Sequence, residues 1–124
     1  MDTERFVELT QKYVVDVAVE STQSNLIDPP GRRVEAHERA RSDWFKNLPD
    51  AQKEFIEELI REGAESSIFH LFAILDQSRK LADEDRFDLH YIKAGQATLI
   101  NDFQGVGLNE IFNGGIDHLV SIPN

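Results

Sequence analysis

Ser66-Ser67-Ile68-Phe69-His70-Leu71-Phe72-Ala73-Ile74-Leu75, followed by Phe87-Asp88-Leu89-His90-Tyr91-Ile92, Lys93-Ala94-Gly95-Gln96 and Ala97-Thr98-Leu99-Ile100, is the stretch on which the fold turns. The first segment reads as a helix that is apolar nearly all round. Such a helix belongs at the centre of a small domain, because a water-facing one would expose a large apolar patch. Ser66 or Ser67 suits its N-cap, and it is expected to stop near Ser78. The later segments read as a β-hairpin. Phe87, Leu89 and Tyr91 alternate with Asp88 and His90, and Gly95 stands where a tight turn needs positive φ. Two strands alone are marginal in water, so the Phe87, Leu89, Tyr91 face must lie on helices or gain a third strand.

Outward from this core, the apolar positions Phe6, Leu9, Tyr13, Val14, Val17 and Ala18 recur at helical steps between Asp2 and Glu20, with Glu4, Glu8, Lys12, Asp16 and Glu20 opposite. The β-branched run from Val14 to Val19 continues that stripe, so helix is preferred to strand. Ser21 to Gly31 is polar and ends in Pro29-Pro30-Gly31; it reads as the longest loop and as a candidate contact surface. Ala36, His37, Ala40, Trp44 and Phe45 form a narrow stripe on a charged helix spanning Arg32 to Asn47. Packing of Trp44, Phe45 and Tyr13 in the core is favoured over an aromatic contact patch. After Pro49, a helix with Phe55, Ile56, Leu59 and Ile60 on one side runs until Gly63 ends or kinks it.

Towards the C-terminus, Leu108-Asn109-Glu110-Ile111-Phe112 reads as a short helix with Leu108, Ile111 and Phe112 inward, terminated by Asn113-Gly114-Gly115. The tail from Ile116 to Ile122 suits a short strand. The expected architecture is therefore one α+β domain over residues 1–124, about four helices packed on a small antiparallel hairpin or sheet.

Composition narrows the function classes. The 124 residues include no cysteine, which excludes disulfides, thiolate metal sites and thiol catalysis and fits a reducing, cytoplasmic compartment. The N-terminus lacks a secretory pattern, and no apolar stretch reaches the roughly 18–20 residues a membrane span needs. The net charge is −10, with six acids against two bases in residues 1–30 and seven against two in residues 81–124. That field disfavours nucleic acid and anionic membrane and favours a basic protein partner or simple solubility; the local cluster Arg32, Arg33, Arg39, Arg41, Lys46 is the exception to its sign.

No motif of known chemistry stands out. His37, His70, His90 and His118 fall one per element, with no HExxH or two-histidine helical step, so no metal or cofactor is implied by spacing. His70 reads as a hydrogen-bonded boundary residue and His90 as a cross-strand surface residue. Asp76 sits unfavourably at a helix C-terminus, either orienting the loop before the hairpin or, as favoured, simply solvated. Asn101-Asp102 reads as turn chemistry rather than a cation site. Gly105-Val106-Gly107 lacks the third glycine of a dinucleotide loop. A non-enzymatic binding domain is thus preferred, with Asp83, Glu84 and Asp85 as the candidate partner-binding residues. The alternative is a small metal-dependent hydrolase assembled from dispersed groups such as His37, His70, Asp16 and Glu20.

The pattern Phe69 to Asp76, Phe87 to Tyr91, Leu99-Ile100-Asn101-Asp102 and Leu108 to Phe112 resembles small uncharacterised bacterial α+β proteins, some of which are similar to immunity proteins of toxin systems. The resemblance covers the C-terminal half. It implies a bacterial origin more than any activity. An immunity-type inhibitor that covers a basic protein with its acidic ends is the form of binding domain that the charge and the missing catalytic motif favour.

Overall fold

The computed structural model describes residues 1–76, 86–102 and 105–121, the stretch 115–121 by its backbone. Among them the elements are α1 (Thr3–Thr10), a π-helical turn (Gln11–Val15), α2 (Asp16–Ile27), α3 (Ala36–Lys46), α4 (Asp50–Leu75), β1 (His90–Lys93), β2 (Gln96–Leu99) and α5 (Leu108–Ser121). Because α1, the π turn and α2 are continuous, the fold is four helices and a two-stranded antiparallel sheet, the α+β class expected. The chain divides into two compact units, one of Met1–Tyr13 with Ser67–Asn124 and one of Val14–Ser66.

In the first unit α1 opens with Asp2, whose side chain accepts the Arg5 amide at 2.8 Å and caps the helix. Thr3 Oγ1 donates to the Ile100 carbonyl at 2.6 Å, tying this end of α1 to the end of the hairpin. Thr10 Oγ1 donates to the Phe6 carbonyl one turn back, and the helix widens to π geometry directly after it. The core is aromatic: Phe72 lies 6.0 Å from Phe6 and meets Phe112 edge-on at 5.5 Å. Phe72, Ile100, Leu108 and Phe112 are buried. The inward placing of Leu108 and Phe112 is as expected.

The hairpin pairs His90 with Leu99 and Lys93 with Gln96. Its turn holds Ala94 at φ 52° and Gly95 at φ 78°, the two positive angles of a primed two-residue turn. The strands are shorter at the start than Phe87 to Ile92. The Leu89 carbonyl still accepts the Ile100 amide at 2.8 Å, but the Phe87 carbonyl and the Leu89 amide bond to the buried side chain of Asn101; Phe87 is exposed while Leu89 and Tyr91 are half-buried.

Two boundaries and one burial differ from the sequence reading. Gly63 neither ends nor kinks the helix: α4 runs unbroken from Asp50 to Leu75, since one helical glycine costs only about 1 kcal/mol against alanine. Likewise Asn113-Gly114-Gly115 does not terminate α5, which continues to Ser121 where a strand was expected. The central helix is also less enclosed than its composition suggests. Phe72 and Ala73 are buried, whereas Phe69, His70 and Leu71 are exposed.

In the second unit α2 packs on α3. Ser21 to Ile27 is helix rather than loop, because the stop signal is the proline pair and not the serines before it. Ser42, buried on α3, donates to the last carbonyl of α2, Ile27, at 2.9 Å. Arg61 of α4 reaches Asp16 of α2 at 3.1 Å. Pro49 precedes α4, and its carbonyl accepts the amides of Gln52 and Lys53 at 3.0 and 3.1 Å. Val15, Val19 and Phe45 are buried, but Trp44, Phe55 and Leu59 are exposed. Only Phe45 of the aromatic set Tyr13, Trp44, Phe45 thus packs inward; Ala36, His37 and Ala40 also face water.

Candidate binding cleft

In the first unit a concavity among the described residues follows α1. One part, about 390 Å³, is floored by Val7, Ile111 and Phe112 and edged by Glu4, Glu8 and Lys12. A second part, about 540 Å³, shares Glu4 and Ile111 and adds Asp2, Asp102, Leu99 and Val106. Glu4, Glu8 and Lys12 fall on one side of the helix because they are four residues apart, while Val7 turns inward from between them.

Glu8 accepts from Arg5 at 3.0 Å in an exposed pair, worth little in stability and readily exchanged for another cation. Among the described residues that line it the polar groups are carboxylates, Gln11, Lys12, Thr3 and Thr98. Apolar floor and carboxylate rim together suit a lysine or arginine of a partner. Its aliphatic stem would lie on Val7, Ile111 and Phe112 while its charged head meets Glu4 or Glu8.

Two long-range polar connections tie the elements of this unit together. Asp76, at the end of α4, accepts the Leu108 amide at 2.8 Å and the Asn109 amide at 2.9 Å, and so caps α5 from another element. The favoured reading of Asp76 as a solvated helix end is therefore wrong. Asn101 is 3% exposed and makes three bonds: it accepts from Leu89 N at 2.7 Å and donates to the carbonyls of Leu75 at 2.8 Å and Phe87 at 2.6 Å. It is a buried junction, more than a turn residue.

The candidate partner-binding residues Asp83, Glu84 and Asp85 lie outside the described residues. Of the dispersed set His37, His70, Asp16 and Glu20, Asp16 is held by Arg61, and His37, His70 and Glu20 are exposed on separate helices. Among the described residues no group of three or more His, Asp or Glu side chains could hold a metal ion, and no helix is long and apolar enough to cross a membrane. Sequence reading found Glu4 and Glu8 only as the polar side of a helix; what makes them a rim is α5, about a hundred residues away.

These features are those of a small α+β fold whose first unit carries an apolar-floored, carboxylate-edged cleft. Comparison with protein-family models, with curated proteins and with solved structures finds no match to the chain.

Proposed function

We propose that the protein is a non-enzymatic acidic binding domain, an immunity-type inhibitor that covers a basic bacterial toxin in the cytoplasm. The observation that carries this reading is the carboxylate-rimmed, apolar-floored cleft along α1 on a chain of net charge −10. Acidic complementarity raises the association rate and makes it fall with salt. Asp83, Glu84 and Asp85 add to the steering field, whether or not they touch the partner.

The test uses the small basic proteins encoded beside this chain's gene. Co-expression is expected to relieve the toxicity of one of them, and calorimetry with the purified pair to show tight binding that weakens as salt rises. Absence of both relief and binding would overturn the proposal. No particular observation favours the hydrolase alternative; stoichiometric transition metal in the purified protein would revive it.

A further inference from the structure

The second unit leaves two apolar stripes uncovered. On α3, His37, Ala40, Arg41 and Trp44 follow the i, i+3, i+4, i+7 spacing of a packing face, yet all four are exposed, Trp44 at 52%. On α4, Phe55 and Leu59 stand one turn apart and are 61% and 60% exposed. Glu58 and Glu62 border that pair, also one turn apart and both exposed. Meanwhile the buried apolar side chains of this unit are Val15, Val19 and Phe45, a thin core for three helical segments.

The charges of the two stripes are opposite. The α3 stripe carries Arg41, and α3 as a whole has Arg39, Arg41 and Lys46 against Glu38 and Asp43. Over residues 50–66, α4 has six acids against Lys53 and Arg61. An external basic partner would complement the α4 stripe alone and leave Trp44 in water. A second copy of the chain complements both, because each copy offers one cationic aromatic stripe and one anionic aliphatic-aromatic stripe.

We infer that this unit is a self-association surface, in which the His37, Arg41, Trp44 stripe of one copy docks on the Phe55, Glu58, Leu59, Glu62 stripe of another. Reciprocal docking closes a two-fold dimer; one-way docking extends into larger species. Large rings bury much area at small entropic cost, and Arg41 meets the glutamates as the apolar side chains close.

Sedimentation equilibrium over a wide concentration range tests this, with the emission of Trp44, the chain's single tryptophan, read in parallel. Association is expected to double the mass or more and to shift the emission to shorter wavelength as the indole leaves water. Arg41→Glu, or Glu58→Arg with Glu62→Arg, should raise the dissociation constant about tenfold or more, and combining the three reversals should recover most of the loss. Leu59→Asn should abolish association. All these positions face solvent, so circular dichroism should stay unchanged. A monomer at every concentration overturns the inference, and so does an oligomer whose dissociation constant none of these substitutions moves.

Discussion

The carboxylate of Asp76 holds the first two amides of α5, Leu108 at 2.8 Å through Oδ1 and Asn109 at 2.9 Å through Oδ2, across more than thirty residues of chain. A charge disfavoured at the end of its own helix is thereby placed at the positive end of another. Gly107 permits the approach: a β-carbon there would lie 3.2 Å from the Asp76 carboxylate. Asp76→Ala is expected to cost about 1–2 kcal/mol, the usual loss for a helix cap, and Asp76→Asn less, since one acceptor remains. Gly107→Ala should fall below Asp76→Ala, because the carboxylate can shift. Urea unfolding of the three variants checks the order.

Asn101 has a stricter role. Its amide supplies one acceptor and two donors, and all are used on the backbone of α4 and of the segment entering β1. Removing it takes the partner from three part-buried backbone groups, so Asn101→Ala should cost about 2–3 kcal/mol. Asn101→Asp is isosteric but is expected to be no better near neutral pH. It keeps the acceptor for Leu89 and turns an oxygen towards the carbonyls of Leu75 and Phe87. Equal stability of the Asp variant and the parent would show that those two bonds contribute nothing.

Two backbone positions can be improved. Ala94 adopts φ 52°, a region that costs an ordinary L-residue about 1 kcal/mol or more and that asparagine tolerates. With Gly95 following, Ala94→Asn builds the preferred Asn-Gly turn and should stabilise by about 0.5–1 kcal/mol. Gly63 lies within α4 with open space where a β-carbon would stand, so Gly63→Ala should gain about 0.5–1 kcal/mol. Melting temperatures should rise for each and nearly additively for both, since the sites fall in different units.

What could be read from sequence was what depends on neighbours in the chain. The hairpin was legible because alternation and a glycine at positive φ are local signals, and the start of α5 because Leu108, Ile111 and Phe112 share a face. Helix ends were misjudged at Gly63 and Gly114 because a glycine's cost is small against the burial of Phe72 or Phe112 at a distance. Asp76 and Asn101 were under-read, and Ser42 was passed over, for another reason: their partners are backbone groups brought up by other elements, and a polar side chain bonded to remote backbone looks the same in sequence as one bonded to water. The α3 stripe failed in the opposite sense. Its spacing is that of a core face, but of its members only Phe45 is buried, beside Ser42 from outside the stripe, and Trp44 is left exposed.

The cleft and the acidic cluster of Asp83, Glu84 and Asp85 predict different kinetic signatures. Glu4 and Glu8 lie beside an apolar floor, so in the proposed complex they would touch a partner cation directly. Glu4→Lys with Glu8→Lys should therefore raise the dissociation rate of the complex as well as slow its formation. The cost to folding should stay near about 1 kcal/mol: one favourable helix-end charge is lost from the first turn of α1, and the exposed Arg5–Glu8 pair is lost with it. Reversing Asp83, Glu84 and Asp85 to lysine should slow association, most at low ionic strength, and leave dissociation unchanged if the cluster only steers. Stopped-flow mixing at two salt concentrations separates the outcomes. A triple variant that dissociates faster would make that cluster part of the contact, whereas a cleft variant with unchanged dissociation would remove the α1 cleft from the binding surface.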